Sequence, residues 1–85
     1  MKFLVEVTVM VEVEFNDEIA ALANDAEWVD KFYGLDTPES IAQHLAWNIA
    51  VRDRDLSGID GFADRSNDEV SARVEWVDFD VTAAP

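Results

Sequence analysis

The chain has 85 residues, of which 49% are apolar and nine aromatic, and its 19 acids against six bases give a formal charge of −13. That length suits one compact domain over residues 1–85, and the apolar content is too high for a disordered acidic tail. The charge repels phosphate backbones and anionic bilayers, so no direct nucleic-acid or membrane binding is expected, and the absence of cysteine removes disulfides, thiolate metal sites and thiol nucleophiles.

From Phe3 to Phe15 every odd position is apolar, while Glu6, Thr8, Glu12 and Glu14 fall on even ones. Period-two alternation predicts a strand with one buried face. At about 3.3 Å per residue such a strand reaches roughly 40 Å, long enough that a twist, a bulge or an overhanging end is expected. The same acids interrupt the apolar run after Met1, so it reads neither as a secretion signal nor as a membrane span.

Asn16 and Asp17 are helix-capping residues, Asn24 with Glu27 resembles a second helix start, and Gly34 supplies a stop. Residues 17 to 33 are therefore expected to be helical, in one or two pieces, with Leu22, Ala26, Val29 and Phe32 or Tyr33 facing inward. Thr37-Pro38-Glu39 places a capping hydroxyl, a first-turn proline and an acid in order, and predicts a helix running to about Val51. Ile41, Ala42, Leu45, Ala46 and Ile49 share one face of that helix. Trp47 falls on the opposite side with His44 and Val51, a second apolar stripe to be covered by the first helix or the 52–68 loop, or else offered to a partner or second copy.

The segment Asp53-Arg54-Asp55-Leu56-Ser57-Gly58-Ile59-Asp60-Gly61-Phe62-Ala63-Asp64 has the spacing of a calcium loop, in which oxygens at positions one, three, five, seven and twelve wrap a hard cation. The ligands would be Asp53, Asp55, Ser57, the Ile59 carbonyl and Asp64. Asp in place of Glu at position twelve, Asp60 at position eight, three nearby arginines and the lack of a following helix depart from that pattern, and a turn-rich solvated loop explains the same residues. Leu56 to Ala63 could instead form a short third strand.

The last strand signal runs from Glu69 to Val81. Val70, Ala72, Val74 and Trp76 are apolar on even positions, and Val77, Phe79 and Val81 on odd ones, so the phase flips at Trp76-Val77. A β-bulge restores one buried face after such a flip. The order β-α-α-β then makes an α+β fold with two long antiparallel strands and helices on one face, its sheet widened by the third strand or across a homodimer.

Catalysis has little to work with, since His44 is the only histidine and no nucleophile motif or glycine-rich phosphate loop accompanies it. The expectation is a non-enzymatic protein without a cofactor, calcium at the 53–64 loop being the one exception. On the outer strand faces Glu12, Glu14, Asp78 and Asp80 could form a carboxylate row at the 6.6–6.8 Å spacing of alternate strand residues, resembling a phosphate backbone, which suits a basic groove on a nucleic-acid-binding protein; an edge-protecting polar face is the commoner origin of such a pattern.

The stretch FLVEVTVMVEVEF from Phe3 to Phe15, followed by a helix carrying Trp28 and ending in Tyr33-Gly34, resembles small acidic accessory proteins encoded by phages of actinobacteria. The resemblance implies a host-interaction or counter-defence protein that acts by binding in the cytoplasm of an infected bacterium, and it brings no catalytic residues. The function expected is protein–protein contact through Trp47, His44 and Val51, with nucleic-acid mimicry by the acidic row second and calcium binding third.

Overall fold

A computed structural model describes residues 1–66 and 68–83. Strand β1 (Phe3–Phe15) leads into helix α1 (Asp17–Ala21), a 3-10 turn at Leu22–Asn24 and helix α2 (Ala26–Lys31). Helix α3 (Pro38–Ala50), a 3-10 turn at Leu56–Gly58 and strand β2 (Val70–Ala83) follow. The strands pair antiparallel in a two-stranded sheet, with the helices on its apolar face, so the fold is α+β in the order read from the sequence.

The apolar phase flip in β2 is a bulge. Met10 pairs with Trp76 and Val11 with Val74, which leaves Glu75 as the extra residue, one position before the flip. Its consequence is that Val70, Ala72 and Val74 on one side, and Val77, Phe79 and Val81 on the other, all stand on the face of the odd residues of β1. Trp76 goes to the opposite face, across from Met10.

The helix starts are capped as local chemistry requires. Asn16 Oδ1 accepts from the Ile19 amide at 3.0 Å, and Thr37 and Ser40 exchange side-chain and backbone bonds of 3.0 and 3.1 Å in a reciprocal box ahead of Pro38. The second start differs from the Asn24 expected: Asp25 is the cap, accepting from the Glu27 and Trp28 amides. The 3-10 turn before it rotates the inward face, so Ile19 and Ala23 are buried and Trp28 packs on the core, whereas Ala26 and Tyr33 are exposed. Tyr33 and Gly34 both take positive φ (65° and 68°), and the Gly34 amide returns to the Val29 carbonyl at 2.9 Å, closing the helix end.

No third strand forms at Leu56–Ala63. That segment is a chain of turns in which the Gly58, Ile59 and Phe62 amides bond to carbonyls three residues back, so its backbone groups are satisfied locally and Ile59 and Phe62 drop into the core as a plug. Phe62 meets the Trp28 ring edge-on at a centroid distance of 5.9 Å. Gly61 (φ +93°) lies against the Phe32 ring, where an added Cβ would come within 3.2 Å. The buried cluster is Ile19, Ala23, Leu35, Ile41, Leu45, Ile59, Phe62 and Val70, gathered at the end of the sheet where β1 finishes and β2 begins.

Phe62 is fully buried, so Phe62→Ala should cost about 3–5 kcal/mol, a large share of the roughly 4–13 kcal/mol expected for a domain of this size. Urea unfolding followed by circular dichroism measures it; a loss below about 1 kcal/mol would contradict a core built on this plug.

Candidate functional site

The apolar face of the sheet is covered along only part of its length. Pro38 and Ala42 of α3 lie beside Val13 and Phe15, and Ala46, Trp47, Ala50 and Val51 lie beside Val7, Val9 and Val11. Beyond that point no layer of the described residues lies over the ribbon. Phe3, Val5 and Val7 on β1 and Val77, Phe79 and Val81 on β2 are each about half exposed or more, Phe79 reaching 63%. They stand on one face, in register as Phe3 with Ala83, Val5 with Val81, Val7 with Phe79 and Val9 with Val77.

Two of the three residues expected to form a partner contact belong to this same surface. Trp47 is 47% and Val51 65% exposed, and both line a groove of about 450 Å³ whose other wall is Val7, Val9, Met10 and Val11. The described residues of the 52–68 loop leave them exposed, and Arg52 leans over the Trp47 ring at 5.3 Å, in cation–π geometry. Helix spacing places Trp47 on a stripe away from the core, whereas strand alternation predicts a buried face for the ribbon next to it. Together they make one apolar surface much larger than the helix stripe alone, with the Arg52 guanidinium at its Trp47 edge.

His44 is set apart from it. Its ring stacks on Tyr33 at 4.7 Å, its Nε2 lies 3.4 Å from the Asn48 amide, and Asn48 donates to the His44 carbonyl at 2.9 Å. Burial holds the imidazole below its ordinary value of 6.5. Asn48, a buried amide that no sequence pattern singled out, is satisfied within its own helix.

The outer face carries the expected carboxylates, but not as an unbroken row. Glu6 faces Asp80 and Thr8 faces Asp78 toward the tip, while Glu12 faces Arg73 and Glu14 faces Ser71 toward the base. Between these groups stands the apolar pair Met10 and Trp76. Arg73 Nη2 reaches Glu12 Oε2 at 3.3 Å and Glu75 Oε1 at 2.9 Å, neutralising part of the basal group in an exposed ion pair of the kind that contributes little stability.

The 53–64 loop does not assemble a calcium site. Among the described residues no three His, Cys, Asp or Glu side chains converge where a metal ion could be held, so Asp53, Asp55 and Asp64 are not brought together. Asp55 caps its own turn, its Oδ1 accepting from the Ser57 hydroxyl at 2.6 Å and the Gly58 amide at 3.2 Å, and the Ser57 bond draws its pKa below the usual carboxylate value. The Ile59 carbonyl accepts from the Phe62 amide, and Asp53 takes a positive φ of 50° as the chain leaves α3. The spacing shared with calcium loops here serves turn geometry.

No family model, curated protein or solved structure matches this chain.

Two outcomes follow for these groups. Titrating chelator-treated protein with millimolar calcium should give no binding heat, and a saturable isotherm would restore the loop as a metal site. A neutral His44 favours the folded state, so its contribution is complete above an unfolded-state value of about 6.5 and is lost as pH falls through that value toward the lower folded pKa. Urea unfolding from about pH 7.5 to 5.5 should therefore destabilise the wild type more than His44→Phe, and equal losses would assign the drop to other groups.

Proposed function

We propose that this chain is a non-enzymatic protein–protein interaction domain whose contact surface is the bare apolar face of the ribbon together with Trp47 and Val51. The observation that carries the reading is the continuity of that surface: six half-exposed residues of the ribbon, Phe3 to Val81, run into the groove under α3 with no charged side chain among them. Exposed apolar patches beyond a few hundred Å² are uncommon on monomeric soluble proteins and mark contact sites. The resemblance to acidic phage accessory proteins makes modulation of a bacterial host protein the setting for that contact. His44, folded back on Tyr33, supports the shoulder of the site rather than touching a partner. Mimicry of nucleic acid finds less support, because Arg73 and the Met10–Trp76 pair divide the carboxylates it would need.

Affinity capture from an actinobacterial lysate, washed at low and high salt, tests the reading. A partner should survive the salt wash and be reduced at least about tenfold by Trp47→Ala, since a central aromatic anchor is typically worth 2 kcal/mol or more. A basic partner released by salt and indifferent to Trp47→Ala would move the contact to the acidic face.

A further inference from the structure

We infer that the occupant of the apolar face is a second copy of this chain, packed ribbon face to ribbon face about a two-fold axis. The inference rests on the binding reading above and names the partner for it. Four observations carry it.

The first is area. The bare side chains of Phe3, Val5, Val7, Val77, Phe79 and Val81, with Trp47 and Val51, are each about half exposed; for residues of this size they amount to several hundred Å² per copy, the scale of the roughly 800 Å² per partner that standard interfaces bury. The second is composition. Interfaces that form and dissolve are about as polar as the rest of a protein surface, whereas homodimer contacts are more apolar, and over the bare length this face holds only valine, phenylalanine and Ala83.

Charge is the third. Two chains of −13 repel, but Glu6, Glu12, Glu14, Asp78 and Asp80 all stand on the other face of the ribbon, so face-to-face packing at the usual spacing of about 10 Å between sheets keeps the two sets outside the contact. The fourth is length. From Phe3 to Val9 the bare ribbon extends about 20 Å, and in an antiparallel two-fold arrangement the tip of each copy ends at the α3 shoulder of the other. There the groove between Trp47, Val51 and Val7 receives the tip, with Phe3 as the aromatic group that fills it. A two-stranded ribbon, marginal alone, becomes half of a four-stranded sandwich.

Sedimentation equilibrium of the whole chain across concentration and salt tests the proposal, beside Phe79→Asp and Val7→Asp on the apolar face and Asp78→Asn on the outer one. The wild type and Asp78→Asn should run at twice the monomer mass at micromolar concentration and associate more tightly as salt screens the repulsion. Each apolar-face variant should weaken the dimer on the order of 100-fold, a carboxylate being buried without a partner. Both sites are exposed in one copy, and far-UV circular dichroism checks that the variants fold. Should they not, dilution of the wild type followed by methyl NMR must move Val5, Val7, Val77 and Val81; a dimer whose shifts fall elsewhere overturns the proposal.

A wild type monomeric up to about 1 mM also overturns it, as does a dimer that survives both apolar-face substitutions, which would place the contact at the free strand edges. If the chain is monomeric and Phe79→Asp abolishes capture of another protein, only the second copy is ruled out. If it is monomeric and capture is unaffected, the binding reading of this face fails with it.

Discussion

Thirteen residues make a helix of about 20 Å but a strand of about 43 Å, because a helix rises 1.5 Å per residue and a strand about 3.3 Å. Helix α3 and strand β1 have thirteen residues each. The longest helix therefore cannot cover the strand it lies against, and the two shorter helices sit at the same end. Every later feature of the molecule follows from that mismatch: a core confined to one end, an elongated outline of 50 × 25 × 19 Å, and a sheet whose apolar alternation continues beyond the layer it would normally pack against.

The bulge at Glu75 keeps that continuation apolar. With strict alternation, a strand facing the core through Val70 and Ala72 would turn Val77, Phe79 and Val81 outward beside Glu6 and Thr8 and bring Asp78 and Asp80 onto the apolar face. One extra residue places them beside Val5, Val7 and Val9, and puts Trp76 across from Met10 on the other side. The register thus maintains an apolar face over a length that the helices never use. A sequence selected only for the core visible in one copy has no need of this device.

Both strands, their antiparallel pairing, the bulge, the capped start of α3 and its inward face were legible in the sequence, since period-two and period-3.6 patterns and the Thr-Pro-Glu cap each have a local physical cause. The plug at Ile59 and Phe62 was not. A run of turns satisfies its own backbone groups, and two apolar residues three apart within it carry no period that distinguishes it from a short strand or a calcium loop. The inward face of residues 17–33 was misjudged at Ala26 because the 3-10 turn at Leu22–Asn24 changes the rotation per residue partway along. For the site, Trp47 and Val51 could be found from helix spacing, but the exposed ribbon could not: alternation reports that a face is apolar, and only the relative lengths of the layers decide whether it is covered.

The two strands that pair are the first and last elements of the chain, so every rung of the sheet joins residues far apart in sequence. The shortest closure, Phe15 with Val70, already spans all three helices and the plug, and each rung toward Phe3 and Ala83 closes a longer loop. During synthesis β1 emerges before β2 and cannot form these rungs until β2 has been made. The helices and Phe62 must then bring the base of the sheet together, after which the ladder can extend rung by rung toward the tip. Such non-local pairing slows folding relative to a helical bundle of the same size. Until the last rungs close, β1 remains a valine-rich strand with two free edges, and Glu6, Glu12 and Glu14 along it are what keep it from pairing with the wrong strand.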